Sequence, residues 1–389
     1  AFCDTEMGGP RTLPVLNEHP EVPRYQDFRE MFDEKGKEID AVCIATPDFS
    51  HFPVAMLAMS LGKAVYCEKP LGGTFREIAL MAAAAKKHGV VTQMGNQGHS
   101  GANYYQCRAL VERGYLKDVI RIVAHMNSER RWFKWGGKLA ALPAAQPVPD
   151  ELDWNTWLAQ RAERPYSEEY VNGNWRCFYD LGTGALGDWG AHLFDAAWEF
   201  LKLGLPEKIE VRKMEGHNKF VYPMESTLAY SFPARGPGFP ACVLEWFDGL
   251  DNKPAVPANL ANKAWTMPAC GAELFCADGR VFSRGSHDAP LFLIAGGDPK
   301  DAKVKDELRD FPRRQPEHFQ SFLLAVKGEA KTTSPFEVSA GLAQILVLGC
   351  IAQHLNQPLL KFDRATNRFV GNAAANALLD GPVPRKGWE

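Results

Sequence analysis

The sequence predicts an α/β protein in which a parallel sheet is followed by an α+β region with a large open, mostly antiparallel sheet. Two observations predict this fold. Residues 39–95 alternate between apolar runs and helical stretches, which is typical of βαβ units and a parallel sheet. After residue 103, runs rich in β-branched and aromatic residues follow one another with turn residues between them, which is typical of antiparallel strands.

The first region contains strands and helices in strict alternation. In chain order these are a strand at 39–46, a helix at 51–62, a strand at 63–68, a helix at 74–89 and a strand at 90–95. The apolar runs predict strands buried on both faces, in which Cys43 and Cys67 act as small hydrophobic residues. Ligands of such sheets bind beyond the carboxyl ends of the strands. We therefore expect 46–51, 68–70 and 95–101 to line one crevice.

The first four residues, "AFCD", are typical of the end of another strand of this kind. Asp4, at its end, either accepts hydrogen bonds from the ribose of a dinucleotide or only begins the next loop. The glycine-rich turn that would precede such a strand is not in the numbered chain. We therefore expect an N-terminal piece to be missing from this sequence.

The second region is predicted to contain both helices and strands. Helices are predicted at 103–119, 188–204, 316–328 and 336–355, and strands at 120–128, 208–216, 242–249 and 272–283. A segment rich in Pro and Trp, 132–180, should have few regular elements. The apolar stretch 340–355 is too short and too interrupted to span a bilayer, so we predict a buried helix and no membrane span.

Length and composition limit the class of protein. At 389 residues the chain is more than twice a typical domain, which predicts two domains, and the change of pattern after residue 103 predicts their limits at 1–103 and 104–389. The 44 Lys and Arg are outnumbered by 47 Asp and Glu, and the absence of a long basic run argues against a nucleic-acid partner. The nine cysteines show no C-x-x-C pair and no zinc-like spacing. They favour a reducing compartment without excluding export, so cytoplasm and periplasm both stay open.

A G-x-G-x-x-G pattern occurs at 182–187, "GTGALG", but its context does not suit a phosphate. The preceding "NWRCFYD" is polar rather than a buried strand, and Asp188 would bring a negative charge to the start of the following helix. We interpret these glycines as positions where the backbone passes close to a ligand or to another strand.

The segment "GDWGAHLFD", 187–195, is the most informative cluster. On one helix Asp188, His192 and Asp195 would share a face. They could be ligands of a divalent metal ion. Alternatively, Asp188 orients or charges His192 for general acid–base chemistry, or the histidine is simply part of an amphipathic helix.

Lys69 lies in "VYCEKPLGG", at the carboxyl end of a predicted strand. Most lysines are solvated, but Pro70 restricts the backbone of Lys69 to an extended conformation and so defines its direction. A lysine with a lowered pKa can take a hydroxyl proton while a hydride leaves the same carbon.

Four motifs together resemble the Gfo/Idh/MocA oxidoreductases, the family of glucose-fructose oxidoreductase and inositol dehydrogenase. They are "ATPDFSH", "YCEKPLG", "MGNQ" and D-x-G-x-H-x-x-D. The segments "LDWNTWL" and "NWRCFYDLGTGALGDWGAH" and the terminal "RKGWE" resemble its often exported sugar oxidoreductases. The resemblance implies a Rossmann-type parallel sheet domain followed by a domain for substrate binding and oligomerisation.

The resemblance also implies roles for individual residues. Lys69, Asp188 and His192 would be catalytic, with Lys69 between nicotinamide and substrate. The cofactor-binding residues would be Asp4, Thr46, Pro47, His51, Glu68, Lys69, Asn96 and Gln97. The cofactor would be NAD, with NADP less favoured because Asp4 is acidic, and no metal would be required because a redox site uses all of the motif residues.

The substrate implied is a sugar, sugar derivative or polyol, bound near Asp188 and His192. Trp175 and Arg176 suit a sugar ring and its hydroxyls, although ordinary packing explains this pair equally well. The assembly implied is a homodimer or homotetramer. Two alternatives use the same fold: a redox-neutral glycosidase or lyase that keeps its NAD, and a non-catalytic sensor of sugars or nucleotides.

Overall fold

The computed structural model describes residues 1–10, 12–128, 130, 134–135, 138–256, 266–286, 289, 291–296 and 317–388. The strands are β1 (Phe2–Cys3), β2 (Arg24–Tyr25), β3 (Ala41–Ile44), β4 (Ala64–Glu68), β5 (Thr92–Gly95), β6 (Val119–Met126), β7 (Lys208–Glu215), β8 (Glu225–Phe232), β9 (Cys242–Asp248), β10 (Cys270–Cys276), β11 (Val281–Arg284), β12 (Phe292–Ala295), β13 (Leu359–Asp363) and β14 (Arg368–Phe369). The helices are α1 (Thr12–Glu18), α2 (Phe28–Lys35), α3 (His51–Ser60), α4 (Phe75–His88), α5 (Ala102–Glu112), α6 (Trp154–Leu158), α7 (Gly184–Leu193), α8 (Asp195–Phe200), α9 (His318–Val326), α10 (Phe336–Leu355) and α11 (Ala373–Asp380).

The N-terminal region forms the predicted parallel sheet. Strands β3, β4 and β5 are neighbours in that order and all run parallel, with α3 and α4 as the crossover helices. Helix α4 begins where the Thr74 hydroxyl caps the backbone N–H of Glu77 at 3.1 Å, and it ends at Gly89, which has the left-handed conformation. The predicted fold class is therefore confirmed for this region.

Strand β3 is an exception to the prediction that these strands are buried on both faces. Cys43 is exposed, whereas Cys67 in the neighbouring β4 is fully buried. Within the described part of the chain β3 is an edge strand, because it pairs with β4 alone, and β1 and β2 form a separate parallel pair. An edge strand is covered less than a central one, so an apolar sequence did not guarantee burial.

The second region forms a nine-stranded sheet among the described residues, in the order β12-β11-β10-β6-β9-β8-β7-β13-β14. The pair β6 and β9 runs parallel, and the other described pairs are antiparallel, as predicted. The predicted strand at 272–283 is a hairpin of β10 and β11. The described part of 132–180 contains α6 and a short 3₁₀ helix, Asn174–Cys177. The limits of the two domains stay a prediction.

Helix α10 is the central packing element between the two regions. It contacts α4 of the first region and α7 of the second. By length and composition it could cross a membrane, since an 18-residue stretch of it has a mean hydropathy of 1.6, but 72% of that stretch is buried inside the protein. Because its apolar surface is already covered by protein, we interpret α10 as a core helix, and its limits are those predicted, 336–355.

The predicted helix at 188–204 is wrong in its limits. Helix α7 begins four residues earlier, at Gly184, and ends at Leu193, and α8 starts at Asp195 after the turn residue Phe194. Asp188 therefore lies in the second turn of α7 rather than at a helix N-terminus. The interruption separates Asp195 from the helix that carries Asp188 and His192.

Gly349 sets how closely α10 approaches the large sheet. A Cβ atom at this position would lie 1.8 Å from the hydroxyl oxygen of Tyr230, a fully buried side chain of β8. We expect Gly349→Ala to destabilise the protein by about 1–2 kcal/mol, because overpacking outweighs the roughly 1 kcal/mol that alanine gains in a helix.

Urea unfolding measures this effect as a change in the midpoint of Gly349→Ala, with Gly36→Ala as the control variant. Gly36 has a φ of −53°, and a Cβ added to it would meet no atom within 4 Å, so alanine there should be neutral or slightly stabilising. Equal midpoints for the two variants would contradict the close packing of α10.

Candidate active site

The carboxyl ends of β3, β4 and β5 bring the three predicted segments side by side. Ile44 is level with Cys67, and Glu68 is level with Gly95, so the chain leaves the three strands at the same edge. Segments 46–51, 68–70 and 95–101 follow directly. The three segments therefore lie at one edge of the sheet, as predicted, because parallel strands share one direction.

Lys69 joins this edge to the second region of the protein. Its Nζ contacts the carboxylate of Asp188 on α7 and also donates to the Asp188 backbone carbonyl at 2.9 Å. The two side chains are 15% and 17% exposed. The peptide bond from Lys69 to Pro70 is cis. The lysine is thus not a solvated surface residue but one half of a mostly buried ion pair between the two regions.

Burial lowers the pKa of Lys69 to about 8. The carboxylates of Asp48 and Glu68 oppose this shift, whereas the guanidinium groups of Arg176 and Arg130 add to it. An amine that loses its proton near neutral pH can serve as a general base or acid. The arrangement can therefore exchange a proton with a hydroxyl group in the crevice.

Glu68 lies next to Lys69 at the end of β4. Its Oε1 accepts hydrogen bonds from the Gln97 amide at 3.0 Å and from the Tyr66 hydroxyl at 3.4 Å. Burial raises the pKa of this carboxyl group. Gly95 makes room for it, since a Cβ there would lie 2.6 Å from the carboxyl carbon of Glu68.

The segment after β3 contains both predicted residues and one that the prediction missed. Thr46 is exposed, Pro47 is half-buried, and His51 is buried with its Nε2 2.9 Å from the Thr46 carbonyl oxygen. Burial lowers the pKa of His51. Asp48, which was missed, is buried and accepts a hydrogen bond from the Thr183 hydroxyl. Asp48 could have been predicted from the sequence, because it lies inside "TPDFSH", one of the segments expected to line the crevice.

Asn96 lies in a buried network rather than on an exposed surface of the crevice. The side chain has no exposed surface, and its amide donates to the Asp195 carboxylate at 3.1 Å. The same carboxylate lies 2.8 Å from Nδ1 of His99, and the pKa of His99 is raised by Asp195 although burial opposes this. Gln97, by contrast, is exposed. The cofactor roles of Asn96 and Gln97 stay predictions.

His192 lies one helical turn after Asp188 on α7 and is 5% exposed. Its backbone carbonyl accepts a hydrogen bond from the guanidinium of Arg284, a buried residue at the end of β11. The sequence carried no signal for Arg284, because it is 92 residues away along the chain. This contact ties the helix that carries the site to the large sheet.

Of the predicted substrate-side pair, Arg176 reaches the site and Trp175 supports it. The Arg176 guanidinium lies 4.0 Å above the Trp175 ring, and its Nε is 4.0 Å from the Asp188 carboxylate. Trp175 is 6% exposed. Its position fits the packing interpretation, whereas Arg176 adds a positive charge beside the ion pair of Lys69 and Asp188.

The glycines of "GTGALG" allow close contacts within the protein. A Cβ on Gly182 would lie 2.5 Å from the Cα of Arg176, and one on Gly184 would lie 2.7 Å from the ring of Tyr222. Gly184 also has a positive φ of 61°. The close approach is therefore as predicted, but the described neighbours of these two glycines are a 3₁₀ helix and an aromatic ring rather than a strand.

Asp4 follows β1 directly. Its carboxylate accepts hydrogen bonds from the Thr12 hydroxyl at 2.7 Å and from the Glu6 backbone N–H at 3.0 Å. Asp4 thus shapes the loop after β1, whatever else it binds. Among the described residues no group of three or more His, Cys, Asp or Glu side chains is arranged to hold a metal ion.

Two family models match this chain. One is described as an oxidoreductase family with an NAD-binding Rossmann fold and matches residues 6–96. The other is described as the C-terminal α/β domain of an oxidoreductase family and matches residues 100–230. Both belong to the Gfo/Idh/MocA group whose motifs the sequence resembles.

Curated relatives match over shorter stretches. An uncharacterised oxidoreductase of Bacillus subtilis is 37% identical over 99 residues, which cover 24% of this chain and 25% of that protein. Inositol 2-dehydrogenase of Salmonella typhimurium is 28% identical over 124 residues, which cover 31% of this chain and 36% of that protein. The chain thus aligns with well under two thirds of the length of either relative.

Solved structures match over nearly the whole chain. The WlbA dehydrogenase of Bordetella pertussis, determined in complex with NADH and UDP-GlcNAcA, has a TM-score of 0.60 and 13% sequence identity. The match covers 93% of this chain and 88% of that one. At this identity the likeness establishes the fold.

Proposed function

The chain belongs to the Gfo/Idh/MocA oxidoreductase family, and from this premise we propose that it is an NAD-dependent dehydrogenase of a sugar, sugar derivative or polyol. The reaction is a reversible hydride transfer between nicotinamide and a hydroxyl-bearing carbon. The observation that carries the proposal is the contact between Lys69 at the end of β4 and Asp188 on α7.

Lys69 is the acid–base catalyst in this proposal. In the oxidation direction its neutral amine takes the proton of the substrate hydroxyl, and in the reverse direction its ammonium returns that proton. Burial supports this role because it brings the pKa of Lys69 to about 8, where both protonation states are accessible. Bound NAD would supply the hydride chemistry itself.

Asp188 and His192 assist from the second region. The Asp188 carboxylate holds the Lys69 amine in position, and Arg176, 4.0 Å from that carboxylate, is proposed to donate hydrogen bonds to substrate hydroxyls. His192 is proposed to orient the reacting hydroxyl. Positioning of this kind contributes a large part of the rate in hydride-transfer enzymes.

The residues at the strand ends fit a nicotinamide dinucleotide. The Glu68 carboxylate and the exposed Thr46 and Gln97 side chains offer acceptors and donors for ribose hydroxyls and a carboxamide. Pro47, His51 and Asn96 are proposed to shape the same edge. Asp4, at the carboxyl end of β1, is proposed to accept hydrogen bonds from the adenosine ribose.

The test of this function is to identify the nucleotide that the purified protein carries and to follow nicotinamide absorbance with a panel of sugars, uronates and inositols. Net reduction of NAD by one substrate class supports the proposal. Tight retention of NAD without net reduction during turnover would instead point to a redox-neutral glycosidase or lyase. Failure to bind either NAD or NADP would overturn the mechanism.

The preference for NAD gives a prediction for Asp4. Asp4→Asn keeps the shape of the side chain and can retain both loop hydrogen bonds, but it removes the charge that opposes the 2′-phosphate of NADP. We expect the ratio of kcat/KM with NAD to that with NADP to fall about tenfold. Steady-state kinetics with both cofactors measure it.

Glu18→Gln is the matched control, because Glu18 is an exposed carboxylate on the neighbouring α1. It should leave the cofactor ratio unchanged. An unchanged ratio in Asp4→Asn as well would mean that Asp4 does not bind the cofactor.

We also propose the organisation of the protein. The domain limits are 1–103 and 104–389, and the chain forms a homodimer or homotetramer through the open sheet.

A further inference from the structure

A cavity of about 640 Å³ lies apart from the candidate active site. It is bounded by the start of α4, by α10, by α11 and by the segment around Tyr179, and neither Lys69 nor Asp188 lines it. Its volume falls in the range of sites that bind small organic molecules. No role in the proposed redox chemistry accounts for it.

Most of the wall is apolar or aromatic. Val347, Ile351 and Leu355 contribute from α10, and Ala377 and Leu378 contribute from α11. The rings of Tyr179 and His354 are stacked with centroids 4.1 Å apart and planes 6° apart. Burial lowers the pKa of His354, so this ring is neutral at physiological pH. The wall therefore suits an apolar or aromatic body.

Two charged side chains line the cavity: Arg161, which is 5% exposed, and Asp180, whose carboxylate pairs with Arg164. The Nε of Arg161 is buried without a hydrogen-bond partner among the described residues. The nearest carboxylate, Glu77, is 3.9 Å from Nη2, beyond hydrogen-bond distance. The Glu77 oxygens already accept hydrogen bonds from the Gln160 amide and the Gly73 N–H, each at 3.2 Å.

A buried guanidinium with unused donors is costly unless an acceptor reaches it. A carboxylate matches the planar fork of an arginine with two parallel hydrogen bonds. Because Glu77 already offsets part of the positive charge, a single negative charge suits the site better than the double charge of a phosphate.

We propose that this cavity is a second binding site, which takes a small monocarboxylate with an apolar or aromatic body. The carboxylate pairs with Arg161, and the body lies against the stacked rings of Tyr179 and His354. This inference does not rest on the proposed dehydrogenase activity, since it uses none of the residues assigned to it.

The probe for the test is 2-naphthoate, with the neutral 2-naphthamide as a matched ligand, and binding is measured by isothermal titration calorimetry. We expect the full-length protein to bind 2-naphthoate at least tenfold more tightly than 2-naphthamide. Arg161→Met should weaken 2-naphthoate binding at least tenfold and abolish the preference over the amide.

A second variant keeps the test decisive if Arg161→Met fails to fold. Ala377→Trp fills the cavity from an exposed position on α11, and it should abolish binding of both ligands without lowering the melting temperature. Three results would overturn the proposal: no binding of 2-naphthoate by the unchanged protein, equal binding of acid and amide, or unchanged binding in Ala377→Trp.

Competition with the cofactor separates this site from the crevice. The affinity for 2-naphthoate should be the same with and without saturating NADH, because the two sites share no lining residue. Displacement of 2-naphthoate by NADH would mean that 2-naphthoate binds in the crevice, and it would overturn the inference. If the protein does not bind NADH at all, the dehydrogenase proposal fails. The second site is then still tested by 2-naphthoate binding to the Arg161→Met and Ala377→Trp variants.

Discussion

Replacing Lys69 with methionine is expected to lower kcat for substrate oxidation by about 10³, because the reaction loses the group that takes the hydroxyl proton. Methionine keeps most of the apolar stem, although it is one atom shorter and leaves the Asp188 carboxylate without the amine that pairs with it. Because Lys69 also lies beside the proposed cofactor, the dissociation constant for NADH should rise, but by much less than kcat falls. Steady-state kinetics and an NADH fluorescence titration measure the two quantities separately.

The variant Lys69→Arg distinguishes a role of Lys69 as a proton acceptor from a role as a fixed positive charge. Arginine retains the charge beside Asp188 but does not lose its proton in proteins, so this variant should be as inactive as Lys69→Met. Lys87→Met, an exposed lysine in the last turn of α4, is the control and should keep full activity. Activity within tenfold of the unchanged protein in Lys69→Met would rule out Lys69 as the acid–base group.

Removing the charge of Asp188 is expected to change both the size and the pH dependence of the rate. Oxidation requires neutral Lys69, so kcat/KM should rise with pH through the pKa of this amine, which burial brings to about 8. The Asp188 carboxylate contacts the amine and stabilises its charged form, which raises the pKa. In Asp188→Asn the pKa of Lys69 therefore falls, and the rising limb moves to lower pH.

We expect a shift of about one pH unit or more, together with a fall of about 10- to 100-fold in the plateau value of kcat. Profiles of kcat/KM between pH 5 and pH 10 provide the measurement. Asp150→Asn is a suitable control, since Asp150 is exposed and far along the chain from the motifs. A rising limb that stays in place in Asp188→Asn would mean that Lys69 is not the group that titrates.

The local patterns of the sequence predicted most of the parallel sheet and its functional edge. Apolar runs alternating with helical stretches imply parallel strands, and parallel strands direct all their carboxyl ends to one side. The sequence alone therefore assigned three residues to the same edge of the sheet: Glu68, Lys69 and Gln97. Helical spacing within "GDWGAHLFD" indicated Asp188 and His192, and the resemblance to the family then implied their catalytic role.

Other features could not be read from local pattern. Cys43 has an apolar sequence around it but is exposed, because burial depends on which strands flank β3. Asp195 was grouped with Asp188 by helical spacing, yet the turn at Phe194 breaks the helix and Asp195 pairs with His99 and Asn96 instead. Spacing arguments hold only while the helix continues.

The sequence by itself determined the fold class, the edge of the sheet that carries the site and the family, since these follow from periodicity, strand direction and motif. Only the tertiary structure decided the partners. Lys69 meets Asp188 across 119 residues, and Arg284 meets His192 across 92. Such contacts depend on how α7 and the large sheet pack against the parallel sheet, and no local pattern of residues encodes that geometry.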